Sequence, residues 1–261
     1  GWHWLFLLEG IPTVLLGIAC LRLLTNRPEE AKWLSTEERN WLTSTLAGEA
    51  RGPKKVAQMS LAKLFCNRYV LCLALVDVCA SAAGSTLSVW QPQLLKSFGL
   101  TVMQTGLLNS VPYAVASVLM VVWGRRSDRL KERRWHTAIP MLLIGLGLFG
   151  TSLSGSLMPT MVMLCAVLVG AYSFKGPFWA LASGMLSNSA AAAGLATINA
   201  IANLIGGGLM VNVYGWVKQA TGSYALALMP LALLTLVSVT TLLLLSRAKP
   251  EAQVLNKTET A

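Results

Sequence analysis

The stretch 171–183 reads AYSFKGPFWALAS and sets Lys175 inside a run that is otherwise uncharged and apolar from Pro159 onward. A lone ammonium in hydrocarbon costs at least ~3 kcal/mol on the mildest scale. Lys175 therefore needs a counter-charge, a wet cavity or a ligand, and the rest of the chain must supply it. Composition puts the run in a membrane. Of the 261 residues, 54% are apolar and 12% charged, where a soluble domain has about 25% charged. Mean hydropathy is +0.58.

Along the whole chain, seven runs are long enough to cross a bilayer core of about 30 Å as helices of about 20 residues. They fall near 3–24, 68–94, 102–123, 137–154, 159–184, 194–216 and 223–246. Lipid satisfies no backbone polar group, so the spans must be helices; the alternating short strands of a barrel are absent from the pattern. The fold class is an all-α membrane protein with seven transmembrane helices.

The net charge of +10 sits in the gaps between apolar runs, which points away from nucleic acid as a partner and toward membrane topology. The gap 25–68 holds Arg27, Lys32, Arg39, Arg51, Lys54, Lys55, Lys63 and Arg68. The gap 124–135 holds Arg125, Arg126, Arg129, Lys131, Arg133 and Arg134. The tail adds Arg247, Lys249 and Lys257, while the alternate gaps hold only Lys96 and Lys218. The basic regions share one side, which the positive-inside rule makes cytoplasmic. The N-terminus of this piece is then outside and the C-terminus cytoplasmic; the gap 185–193 carries no basic residue and does not bear on the count. An exported N-terminus that opens GWHW, with no basic leader, leads us to expect further helices before residue 1.

The linker 25–67 contains RPEEAKWLSTEERNWL over 27–42. Ser35 with Glu38 fits a capping box and starts a short helix near Thr36. Trp33, Leu34, Trp41 and Leu42 recur at helical spacing, so an amphipathic helix along the cytoplasmic interface is expected, with a solvated linker as the alternative. The organisation is thus a first span over 1–24, a cytoplasmic linker over 25–67, a six-helix bundle over 68–246, and a polar tail over 247–261 expected to be disordered.

The five cysteines form no C-x-x-C and read as packing residues, with neither a metal site nor a disulfide framework. His3 and His136 have no ligand cluster at metal spacing, and G-x-S-x-G and phosphate-cradling loops are absent. An enzyme is not expected, nor a cofactor.

Several stretches carry a family resemblance: GWHWLFLLEGIP leading into TNRPEEAKWLSTEE, then WQPQLLKSFGLT, GRRSDRLKERR, GPFWALAS and INAIANLIGG. Together, over 1–246, they resemble the anion:cation symporter branch of the major facilitator superfamily, whose members carry tartrate, phthalate, sugar acids and aromatic carboxylates. The resemblance implies that the seven spans correspond to helices six to twelve of a twelve-helix transporter, with helices one to five absent. It further implies the C-terminal half of a secondary symporter in the bacterial inner membrane. Such a transporter takes an organic anion, with protons, by alternating access. Its partners are then the small anion, protons, membrane lipid and an N-terminal half on the same or a separate chain. The alternative is a non-transporting membrane module that pairs with a separate N-terminal half.

Four groups of residues are candidates. Lys175 and Asp77 come out at similar depths from the cytoplasmic end and have opposite sign; they either pair, or Lys175 binds a substrate carboxylate in competition with Asp77, which then serves as a proton site. Asn199 and Asn203 stand four apart on one helix face and suit hydroxyls and carboxylates, or interhelical bonds; Gly206, Gly207 and Gly208 follow as a packing or bending element. Trp90 and Gln91, beside Pro92, suggest a bend at the cavity mouth, with an interfacial anchor as the other role for Trp90. The stretch 124–134 resembles the superfamily's G-x-x-x-D-R-x-x-R-R loop, so Gly124, Asp128, Arg129 and Arg133 are candidates for a conformational latch, with Asp128 at a helix N-terminus. The alternative is topology-setting charge alone.

Overall fold

The computed structural model describes residues 2–31, 33–50, 65–186 and 188–245. The linker stretch 51–64 and the tail 247–261 lie outside the described residues. The chain divides into two units, 1–57 and 58–261.

The first unit holds helix α1 (Trp2–Leu23), a 3-10 turn (Pro28–Glu30) and helix α2 (Thr36–Ala50). Within this unit α1 exposes Leu, Ile, Val and Phe on all sides, as a lipid-crossing helix does. Before α2, the Ser35 N–H donates to Glu38 Oε2 at 3.0 Å and the Glu38 N–H donates to Ser35 Oγ at 3.3 Å. The capping box therefore forms, and the Ser35 N–H and hydroxyl hold the Glu38 carboxyl below its ordinary range. Arg39 ties the preceding turn to α2 by donating to the carbonyls of Ala31 and Leu34. Trp33 and Trp41 are exposed.

The second unit is a bundle of α3 (Arg68–Lys96), α4 (Val102–Leu130), α5 (Arg134–Leu153) and α6 (Leu157–Met185). It continues with α7 (Asn188–Ile201), which winds without a break through a π-helical stretch (Ala202–Leu209) into α8 (Met210–Thr221). A short α9 (Tyr224–Ala227) leads into α10 (Met229–Leu245). Among the described residues seven helices are long and apolar enough to cross a membrane.

Helix α3 runs through the middle and touches α4, α5, α6, α7, the π stretch, α8 and α10. Its sequence suits that place: small residues such as Ala74, Ala80, Ala82 and Ala83 are buried and let neighbouring backbones come close. Glycines do the same from the other side. A Cβ on Gly206 would fall 2.5 Å from the Val78 carbonyl oxygen and 2.9 Å from the Ala82 nitrogen. One on Gly170 of α6 would fall 2.5 Å from the Pro140 oxygen of α5. Polar pegs add to this contact: Cys79 Sγ bonds Thr235 Oγ1 at 3.2 Å, and Ser238 Oγ donates to the Leu75 carbonyl. Both join α3 to α10.

Helix α3 is continuous through Pro92, as the expected span 68–94 implies. One boundary differs from expectation in a way that matters later. Helix α4 continues through Gly124 to Leu130 and stops only where Lys131 takes a left-handed φ of 51°. The residues after Gly124 are charged, yet they favour helix, and the chain keeps winding until that cap.

Candidate functional site

Asp77 and Lys175 are the only charged side chains of the second unit's described spans that stand away from helix ends. Helix α3 starts at Arg68 and α6 ends at Met185, so at ~1.5 Å per residue both lie about 14–15 Å from those ends. They meet across one cleft of about 300 Å³, lined from α3, α6, α7 and the π stretch. Asn199 and Asn203 line it too, as do Ser81, Ser85 and Ser88 of α3 and Tyr172 and Trp179 of α6.

Asp77 is buried and Lys175 exposed into the cleft. No direct ion pair joins them; Lys175 Nζ stands 5.2 Å from the centre of the Tyr172 ring, and its charge reaches Asp77 through space. The ammonium therefore keeps donors open to the cleft, with the ring as its cation–π partner. Asn203 Nδ2 donates to both the Asn199 carbonyl and Asn199 Oδ1, each at 2.9 Å. That internal pairing leaves the Asn199 amide donors and the Asn203 Oδ1 acceptor for a ligand. The wall thus offers a cation, amide donors, acceptors and hydroxyls, the groups that recognise an anion bearing polar substituents.

Trp90 and Gln91 do not line this cleft. The Trp90 ring lies 5.2 Å from that of Tyr214 and fills the space that Gly215 leaves, where a Cβ would sit 3.0 Å from it. Gln91 is fully buried, and both its amide atoms lack partners among the described residues.

The stretch 124–134 is mostly helix. Asp128 sits in the last turn of α4, not at a helix N-terminus, because α4 does not end at Gly124. Its carboxylate pairs with Arg133 Nη1 at 2.6 Å, and the same Arg133 nitrogen donates to Ser127 Oγ. The anion that serves the α5 N-terminus is Glu132, which accepts from the Trp135 and His136 N–H groups and lies 2.7 Å from His136 Nδ1. Partial burial pushes the Glu132 carboxyl up, but those bonds outweigh it and hold it below the usual range. Gly124 has open space around it, and Arg129 is exposed with no salt bridge among the described residues.

The serines and Tyr172 join the cleft without being expected there from the sequence, although the sequence carries a signal for the serines. Ser81, Ser85 and Ser88 follow Asp77 at intervals of four, four and three, the spacing of a single helix face. Hydroxyls in a span draw less notice than charges because they insert into lipid at little cost.

Comparison with known proteins agrees with the architecture. A 44% identical relative from Agrobacterium vitis, named "Putative tartrate transporter", aligns over 96% of this chain and 58% of its own length. A second from that organism, with the same name, is 43% identical over 97% of this chain and 56% of its own length. The chain thus spans somewhat over half the length of these relatives. The Escherichia coli "Inner membrane transport protein RhmT" is 32% identical over 76% of this chain and 46% of its own length. Among solved structures, a bacterial homologue of the human lysosomal transporter Spinster, inward-facing and occupied, superposes with a TM-score of 0.57 at 15% identity. It covers 76% of this chain and 51% of that one, a likeness of fold. The family model described as Major Facilitator Superfamily matches residues 1–211. With its seven membrane-crossing helices and transporter relatives, this chain is an integral membrane protein and belongs to the Major Facilitator Superfamily.

Proposed function

We propose that the chain forms the second half of a secondary active transporter for a small organic anion, with Lys175 as the cation that receives a substrate carboxylate. The observation that carries this is Lys175 itself, facing a polar cleft with no carboxylate of the described residues on its ammonium. At 4 Å and an effective dielectric of 20, a carboxylate gains roughly 4 kcal/mol from such a charge before desolvation. Asn199 and Asn203 supply further polar contacts, and Asp77, across the cleft, is the group placed to exchange a proton or release the ammonium when the substrate leaves. The names of the Agrobacterium vitis relatives support tartrate as a first candidate. Trp90 and Gln91 stay outside this proposal because they do not reach the cleft.

The spans of this chain would take the places of helices six to twelve, and a second half would close the cleft. Rocking of the halves about it gives alternating access. The positive-inside rule places the loop 131–133 on the cytoplasmic side, where the Asp128–Arg133 pair, with Gly124 and Arg129 beside it, latches that face in one state. The lipid is then the bacterial inner membrane, with the C-terminus inside and protons as the coupling ion.

Binding of radiolabelled tartrate to the purified chain in nanodiscs tests the site. Lys175→Met should lower affinity at least ~10-fold; unchanged affinity would remove Lys175 from the site. Uptake in proteoliposomes tests the need for a second half. None is expected from this chain alone, and uptake there would overturn the half-transporter reading. Binding of a separate half without uptake would favour the non-transporting module instead.

A further inference from the structure

The helices of this protein treat nearly all their hydroxyls alike. Thr137, Thr151, Thr160, Thr197 and Thr240 each bond back to the carbonyl four residues earlier, and Ser88 bonds to that of Ser85. Such back-bonding satisfies the hydroxyl inside its own helix and leaves it little to offer a ligand. Among the described residues, Thr86, Ser173, Ser81 and Ser85 lack such a bond or any other hydrogen-bond partner. Thr86 and Ser173 are buried and do not line the cleft, whereas Ser81 and Ser85 of α3 both line it.

A second observation shows where these hydroxyls point. A Cβ built on Gly207 would sit 3.4 Å from Ser85 Oγ, 3.7 Å from Asn203 Oδ1 and 3.8 Å from Ser81 Oγ. Three oxygens thus converge on a notch that exists because residue 207 has no side chain. Asn203 Oδ1 is an acceptor whose own amide donors are spent on Asn199. The two serines donate or accept as required. A ligand group that both gives and takes a hydrogen bond fits this set, and a hydroxyl is the smallest such group.

We propose that Ser81, Ser85 and Asn203 Oδ1, around the notch at Gly207, form a hydroxyl-reading subsite that makes the cleft select hydroxylated carboxylates over their deoxy counterparts. The proposal rests on the reading of Lys175 as the carboxylate-binding cation: Lys175 takes the charge common to all candidate anions, and the serine subsite distinguishes among them. A site built to bond a hydroxyl rejects the analogue lacking it, because its own polar groups are then left unpaired.

Tartrate, malate and succinate share four carbons and two carboxylates and carry two, one and no hydroxyls. Saturation-transfer NMR in nanodiscs, with the chain and each acid in turn, gives their relative affinities. The expected order is tartrate, malate, succinate, with roughly 2–10-fold per hydroxyl bond. Ser81→Ala with Ser85→Ala should flatten the order, and succinate affinity equal to or above that of the wild type shows that the double variant is folded. Gly207→Ala fills the notch at ordinary contact distance and should flatten the order with both serines still present. An order that survives both variants overturns the subsite and leaves Lys175 untouched. Lys175→Met should weaken all three acids by a similar factor; a variant that binds them as well as the wild type refutes the cation reading instead. Equal affinity of the wild type for the three acids also overturns the subsite.

Discussion

Gly206→Ala is the smallest change that should disturb the cleft from behind. The added methyl would meet the Val78 oxygen at 2.5 Å, the Ala82 nitrogen at 2.9 Å and Ser81 Cβ at 3.0 Å. Two of these atoms are backbone of the central helix, so no side-chain rotation relieves the clash. The π stretch and α3 must part by about 1 Å, and overpacking of this kind costs roughly 1–3 kcal/mol. For a chain of this size that corresponds to a fall in Tm of about 2–6 °C. Gly106→Ala is the control, because a Cβ there meets nothing within 4 Å and Ala favours helix over Gly by up to ~1 kcal/mol. Melting curves in detergent, followed by tryptophan fluorescence, compare the two. A Gly206→Ala protein that melts with the wild type would refute the close approach of the π stretch to α3, and with it the placement of Asn203 beside Ser81.

Other tests reach the remaining contacts. Ser35→Ala removes the capping box and should destabilise α2 by about 1 kcal/mol, read as faster amide exchange confined to the start of Thr36–Ala50. A double-mutant cycle on Asp128→Asn and Arg133→Ala should give a coupling of about 0.2–1 kcal/mol, because both side chains are partly exposed; zero coupling would leave the pair no part in a latch. Glu132 has its folded pKa below the unfolded value, so its stabilisation is in full force above about pH 4.3 and fades as pH falls through the folded pKa. The Tm gap between wild type and Glu132→Gln should therefore hold steady from pH 7 to about 5 and close in stronger acid. A gap that widens in acid would contradict that sign.

What the sequence could and could not disclose follows from how far each contact reaches along the chain. The Ser35 and Glu38 cap spans three residues, so its pattern was readable directly. Lys175 and Asp77 stood out because charge is rare in apolar runs, and counting from helix ends set them at one depth. Which way a side chain faces is settled by neighbours far away in sequence. Trp90 turns to the gap left by Gly215, beside Tyr214, and no local pattern at 90–93 announces that. Asp128 lies in a last turn and not at a helix start because the span expected to close at 123 winds on until Lys131 caps it. The serines carry a helical spacing that, once α3 is known to be central, marks a cleft-facing stripe; without its neighbours the same spacing is commonplace.

The wide winding at Ala202–Leu209 has a bearing on how this chain tolerates insertions and deletions. Such a turn is an α-helix holding one residue too many. Losing one residue there would let the segment tighten to ordinary winding, with α7 and α8 still in phase on either side. Elsewhere in the spans the same loss would swing every later side chain about 100° around the axis. The place where this membrane helix most readily absorbs a change in length is therefore also the place that aims Asn203 and opens the gap at Gly207, so a shortened relative would stay folded and yet, on the function proposed above, lose its choice among anions.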